Sequence, residues 1–85
     1  MYQAIFSNKA IKSFRKIPRD YQLKIKGVIL KLEDNPYSPG TIKLTGFPAA
    51  EYRKRVGDYR ILFDIDETKK ILIIADIKRR TSTTY

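Results

Sequence analysis

Apolar positions along the chain follow two different periods. Residues 2–6, Tyr-Gln-Ala-Ile-Phe, read as a short strand. Helical spacing then takes over, with Ala10, Ile11, Phe14 and Ile17 on one stripe. Ser7 or Asn8 is placed to cap that helix, because a short polar side chain accepts from the unpaired amides of a first turn. Pro18 breaks the helix and suits the first turn of the next, where its missing amide hydrogen costs little. From about Arg19 to Asp34 the set Tyr21, Ile25, Val28, Ile29 and Leu32 keeps the 3.6-residue period, with Lys24, Lys26 and Lys31 largely off the stripe. The two segments predict a helical hairpin with one buried face.

Asn35-Pro36 ends the second helix, and a loop with Pro39, Gly40, Gly46 and Pro48 follows. From Tyr52 onward β-branched and aromatic residues dominate, predicting strands at about 52–56, 59–66 and 70–78 before a polar tail, Arg-Arg-Thr-Ser-Thr-Thr-Tyr. The order β-α-α-β-β-β predicts an α+β fold, with the helical hairpin packed on one face of a small, mostly antiparallel sheet. At 85 residues, 1–85 reads as a single domain without internal repeats.

Strand parity sharpens this picture. Gly57-Asp58 suits a two-residue hairpin loop, which sets Val56 opposite Tyr59, Arg55 opposite Arg60, Lys54 opposite Ile61 and Arg53 opposite Leu62. Opposed residues share a face. Tyr52, Lys54, Val56, Tyr59, Ile61, Phe63 and Ile65 then form the core face, with Lys54 the misfit. Arg53, Arg55, Arg60, Leu62 and Asp64 occupy the other. A second turn around Glu67-Thr68 would set Arg60 opposite Ala75 and bring Ile71, Ile73, Ala75, Ile77 and Arg79 to this same side. Four arginines from three strands would converge there. Like charges directly opposed destabilise a sheet, so the cluster asks for an external anion. Surface ion pairing is the alternative. Parity argues against Asp76, expected on the opposite face, Asp58 lies in the turn, and Asp64 remains open. Leu62, Ile71 and Ile73 would form an exposed apolar strip, the usual mark of a protein-binding surface.

Charge supports an anionic partner. Eighteen Lys and Arg against nine Asp and Glu give a net charge of +9 and a pI near 9.9. Such a surplus fits nucleic acid, the ribosome or an acidic protein, or a solvated basic surface kept for solubility. Cysteine and histidine are both absent, which removes thiol chemistry, the usual zinc ligands and the usual neutral-pH proton shuttle. No metal site and no cofactor are expected. No apolar run approaches membrane-spanning length and no signal peptide is recognisable, so the expectation is a soluble cytoplasmic protein.

An arginine cluster and Tyr85 remain as candidate chemistry. Arginine presents a fork of donors to phosphate oxygens and stays charged near neutrality. It suits stabilising a pentacoordinate phosphorane and its leaving group, not taking a proton. RNA brings its own nucleophile, the 2′-hydroxyl, so orienting that group and neutralising developing charge would cleave RNA to a 2′,3′-cyclic phosphate. Tyr85 could stack on a base, donate a proton, or simply end a mobile chain.

At these residues the chain resembles the RelE toxins of bacterial and archaeal type II toxin–antitoxin systems, within the RelE/ParE superfamily. The resemblance spans nearly the whole chain. It rests chiefly on residues 42–66, "IKLTGFPAAEYRKRVGDYRILFDID", and on 77–85, "IKRRTSTTY". The K-L-x-G loop, the basic alternating strand, the G-D-Y-R hairpin and the basic-x₅-Tyr spacing stand in family order. The resemblance implies an mRNA interferase, a metal-independent endoribonuclease that cuts messenger RNA in the ribosomal A site and is neutralised by a RelB-like antitoxin. In those terms Arg53 and Arg55 orient the 2′-hydroxyl and stabilise the transition state. Arg60 holds the scissile phosphate, Arg79 supports the leaving 5′-oxygen and Tyr85 stacks on a nucleotide. Lys54, Lys78 and Arg80 are expected to bind RNA, and Leu62, Ile71 and Ile73 the antitoxin. Arg53 and Arg55 stand where well-known members have lysines, which makes proton abstraction at Arg53 harder. The chain closes on Tyr85 where some relatives extend further, so activity, or its dependence on the ribosome, is expected to differ.

Two other functions fit parts of the pattern. A ParE-like toxin would bind DNA gyrase and cut nothing. A non-catalytic basic module would bind RNA or DNA with affinity falling steeply with salt.

Overall fold

The computed structural model describes residues 1–46 and 50–79. Two helices and a five-stranded sheet form in the order β1 (Gln3–Phe6), α1 (Asn8–Arg15), α2 (Arg19–Asp34), β2 (Thr41–Lys43), β3 (Tyr52–Val56), β4 (Tyr59–Asp66) and β5 (Ile71–Arg79). The sheet order is β1-β5-β4-β3-β2, with β1 parallel to β5 and every other pair antiparallel. The expected α+β architecture holds, with one addition. The three-residue edge strand β2 lies inside what the sequence read as loop, where Pro39, Gly40 and Gly46 mask a Thr-Ile pair.

Ser7 caps α1, its hydroxyl oxygen accepting from the Ala10 amide at 3.0 Å. Pro18 stands at the N-cap of α2, one position earlier than its expected place inside the first turn. The predicted α2 stripe faces inward: Ile25, Ile29 and Leu32 are buried, and Tyr21 and Val28 pack beside them. Against them lie Val56, Tyr59, Ile61, Phe63, Leu72, Ile74 and Ile77 from the sheet. Each large apolar side chain so enclosed contributes roughly 1.5–3 kcal/mol of transfer free energy. That is the main source of stability in a domain this small.

The first hairpin has the expected register, Arg55 opposite Arg60 and Arg53 opposite Leu62. Gly57 takes φ 56°, the conformation that lets two residues close the loop.

The second hairpin departs from expectation twice. Its loop is longer, so that Asp66 pairs with Ile71, a shift of two that preserves parity. A bulge then follows between Leu62 and Phe63: Phe63 opposes Ile74, Leu62 opposes Asp76, and Ala75 is the extra residue. β1 ends opposite Ile74, and among the described residues no strand continues along the outer edge of β5 beyond that point. Helix α1 takes over there. Its capping Ser7 donates its hydroxyl to the Ala75 carbonyl at 2.7 Å, satisfying the bulged residue. Beyond the bulge every β5 side chain changes sides. Ile77 enters the core at 3% exposure instead of joining the arginine face.

Candidate phosphate-binding face

The sheet face away from the helices gathers Ile42, Arg53, Arg55, Arg60 and Lys78 at one end. Lys78 stands directly opposite Arg60, where the expected register puts Ala75. Arg53 runs between Ile42 on β2 and Leu62 on β4, so its aliphatic stem has an apolar neighbour on each flank. That packing buries its Nε, which has no hydrogen-bond partner among the described residues. Arg55 is exposed, with only a 3.5 Å contact from its Nε to the Gly57 carbonyl. A concavity of about 230 Å³ opens between these groups, lined by Gly40, Ile42, Arg53, Arg55 and Arg60.

No carboxylate among the described residues pairs with this cluster. Among the described residues the ion pairs are Lys9–Asp76 and Lys70–Glu67, and neither involves an arginine. Asp64, the partner that sequence left open, instead accepts the Glu51 amide at 2.7 Å and secures the loop before β3. Asp76 is 4% exposed and accepts from the Ser13 hydroxyl at 2.7 Å and from the Ile77 amide at 2.8 Å. An unpaired set of guanidinium groups around a shaped hollow, with one buried donor unsatisfied, is chemically suited to a phosphate.

Several predicted site residues fall elsewhere. The bulge places Arg79 opposite Tyr59 on the helix side, where it lines a separate hollow with Ser13, Lys16, Ile17, Tyr59 and Ile77. Three of the four arginines therefore converge, and Lys78 takes the fourth place. Lys54 also lies on the helix side, paired with Thr41 and Ile61. Its ammonium donates to the Pro39 carbonyl at 2.5 Å. Leu62 is 4% exposed, so it cannot form the expected exposed strip. Ile73 is 40% exposed and Ile71 half-buried, and Ile5 stands beside Ile73 on β1 at 46% exposure. The strip therefore exists, displaced toward β1. Arg80 and Tyr85 lie outside the described residues. Gly40 and Ile42 are walls of the hollow that sequence missed. The signal was Thr41-Ile42 between two glycines, a β-branched pair at an edge.

At the opposite end of the sheet a second polar cluster ties three segments together. Glu67 accepts from the Tyr2 hydroxyl at 2.6 Å, from the Tyr37 hydroxyl, and from the Lys70 ammonium at 3.2 Å. These donors, Tyr2 foremost and Tyr37 next, lower the Glu67 pKa from 4.5 to about 2. The same bonds push both tyrosines above their ordinary value.

The sequence model described as "ParE toxin of type II toxin-antitoxin system, parDE" matches residues 4–83. The chain belongs to the ParE toxin family of type II toxin–antitoxin systems. Solved structures of similar fold come from the same RelE/ParE superfamily. The toxin in the RelBE2 toxin–antitoxin complex of Mycobacterium tuberculosis is 22% identical, with TM-score 0.83 over 93% of this chain and 98% of that one. The isolated E. coli RelE toxin is 19% identical, with TM-score 0.83 over 99% and 89%. The archaeal RelE–RelB complex of Pyrococcus horikoshii gives 24% identity and TM-score 0.81 over 96% and 98%. No curated protein matches the chain. As a ParE-family toxin it has a RelE-like fold in which the arginine hollow occupies the open sheet face. No described helix is long and apolar enough to cross a membrane.

Proposed function

We propose that this toxin is an mRNA interferase, an endoribonuclease that cleaves messenger RNA on the ribosome and is held inactive by a RelB-like antitoxin. The observation that supports it is the trio Arg53, Arg55 and Arg60 around one hollow, without an ion-pair partner among the described residues and with the Arg53 Nε buried and unpartnered among them. Arg60 and Lys78, facing each other across β4 and β5, grip the scissile phosphate. Arg53 and Arg55 stabilise the extra negative charge as the 2′-oxygen attacks in line. The 2′-hydroxyl proton leaves to water and the departing 5′-oxygen takes one back, giving a 2′,3′-cyclic phosphate. Arg79 lies on the helix side in a hollow of its own, so it serves a neighbouring phosphate of the RNA. Arg80 and Tyr85 complete the RNA path in this reading. The antitoxin covers the apolar strip Ile5, Ile71 and Ile73 and brings acidic residues to the arginines.

Gyrase inhibition is the second reading, and the ParE family match favours it. Induction of the toxin in cells, with mRNA 5′ ends mapped and translation and DNA replication followed, separates the two. New cuts in translated messages, absent with Arg55→Ala/Arg60→Ala, are expected. Growth arrest with intact mRNA and stalled replication would overturn the nuclease in favour of gyrase.

A further inference from the structure

Lys54 is the one cation of β3 turned away from the arginine face, and its partner is a backbone oxygen. Its ammonium donates to the Pro39 carbonyl at 2.5 Å, next to Gly40, and Gly40 forms a wall of the arginine hollow. Gly40 has φ 95°, and a Cβ there would stand 2.8 Å from the Lys54 Nζ. The backbone angle calls for glycine, and the ammonium occupies the space that a Cβ would take. The same loop is anchored at its other end by Tyr37, whose hydroxyl donates to Glu67 and whose ring meets Tyr52 edge-on at 6.1 Å. Between these anchors the Asn35 carbonyl accepts the Ser38 amide and the Ser38 carbonyl accepts the Thr41 amide. The 37–40 loop is therefore a clamped strap along the sheet edge.

We infer that Lys54 is a positioning residue of the phosphate site: its ammonium, through the Pro39 carbonyl, holds the Gly40 wall against Arg53 and Arg55 and does not itself touch RNA. The inference rests on the reading of the arginine hollow as a phosphate site. A charge-assisted bond to a carbonyl fixes the strap, and the strap limits where Arg53 and Arg55 can reach. The lysine that parity leaves unexplained on the core face thereby acquires a role. Its charge is used at the edge, where its stem spans the sheet rim.

Direct contact and positioning differ in salt dependence. Each lysine or arginine that neutralises a phosphate of single-stranded RNA contributes about 0.7 to the slope of log affinity against log salt. The full chain, Lys54→Met, Lys54→Arg and Arg55→Ala are titrated with an uncleavable, fully 2′-methoxy oligoribonucleotide at several salt concentrations. Thermal melting of each protein is recorded alongside. Lys54→Met is expected to bind roughly five- to tenfold more weakly, a difference of about 1–1.4 kcal/mol, with an unchanged slope. Lys54→Arg keeps a donor for the Pro39 carbonyl and is expected to retain near-native affinity. Arg55→Ala is expected to lose both affinity and slope. Native affinity in a folded Lys54→Met would overturn the inference, as would a slope falling as it does for Arg55→Ala. Should Lys54→Met fail to fold, Lys54→Gln, neutral but still carrying an amide donor, takes its place, and a slope falling as it does for Arg55→Ala would overturn the inference equally. Failure of the unaltered protein to bind the probe would instead overturn the phosphate-site reading.

Discussion

Arg55 and Arg60 stand directly opposite each other across the β3–β4 hairpin, with no carboxylate paired to either among the described residues. Opposed like charges in a sheet cost roughly 0.2–1 kcal/mol. Arg55→Gln is therefore expected to hold or raise the melting temperature in low salt while RNA binding falls. The gain should vanish near 1 M salt, where the screening length is about 3 Å. A melting temperature lowered in low salt by this exposed substitution would show that the pair is not repulsive.

The bulge on β5 separates two adjacent cations. Lys78 faces Arg60 and Arg79 faces Tyr59, on opposite sides of the sheet. Lys78→Ala is expected to weaken binding of an uncleavable oligoribonucleotide severalfold and to lower its salt slope. Arg79→Ala should change the affinity of a probe short enough to occupy only the arginine hollow by less than about twofold, under 0.4 kcal/mol. Equal losses for the two variants with that short probe would place both side chains on one face.

Asp76 holds the bulge to α1. Its buried carboxylate accepts from Ser13 and the Ile77 amide, and Lys9 approaches it at 3.7 Å. Asp76→Ala strands those donors and is expected to cost about 1–3 kcal/mol in a denaturant titration. Ser13→Ala removes one donor and should cost less. A neutral Asp76→Ala would mean that the bulge is held by the Ser7–Ala75 bond alone.

How much of this was legible in sequence divides at Ala75. Up to that point period and parity carry the helical stripe, the register of the first hairpin and the trio Arg53, Arg55 and Arg60, though neither the edge strand β2 nor the longer second loop. Beyond it they fail, because one extra residue inverts every later side chain. The inserted residue is an alanine, with no local signature. Its cause is tertiary: β1 stops at Phe6 and the Ser7 cap takes the Ala75 carbonyl. Leu62 was misjudged for a related reason. Period-two alternation reports which face a residue occupies, not how much its neighbours on that face, here Arg53 and Asp76 directly opposite, leave exposed. Lys54 looked like a mistake in the pattern because its partner, a loop carbonyl, has no side-chain code.

Acid should release the Glu67 cluster. The carboxyl titrates at about 2 when folded against an ordinary 4.5, because the Tyr2 and Tyr37 hydroxyls bond its ionised form. A depressed folded pKa contributes stability that is fully present above the unfolded value and lost as pH falls toward the folded one. Melting temperature should therefore decline more steeply from pH 4.5 to 2 in the native protein than in Glu67→Gln. On the alkaline side the raised tyrosines lose their contribution as pH climbs past their ordinary value of 10. Parallel acid profiles for the two proteins would show that the cluster does not form in solution.

Gly57 meets two demands at once. Its φ of 56° closes the hairpin, and its open side receives the Tyr21 ring, whose Cε1 would lie 2.9 Å from an added Cβ. Tyr21 in turn packs on Tyr59 with ring centroids 5.0 Å apart. Gly57→Ala is expected to cost about 1–2 kcal/mol from backbone conformation alone, and more from displacing the ring. Gly57→Asn separates the two contributions. Asparagine tolerates the left-handed conformation but keeps a Cβ, so a loss that persists in Gly57→Asn belongs to the Tyr21 contact. In a domain of this size each kcal/mol moves the melting temperature by about 4–8 °C, well within measurement. If asparagine restored full stability, the hairpin would need only its backbone angle, and Tyr21 would have room to retreat.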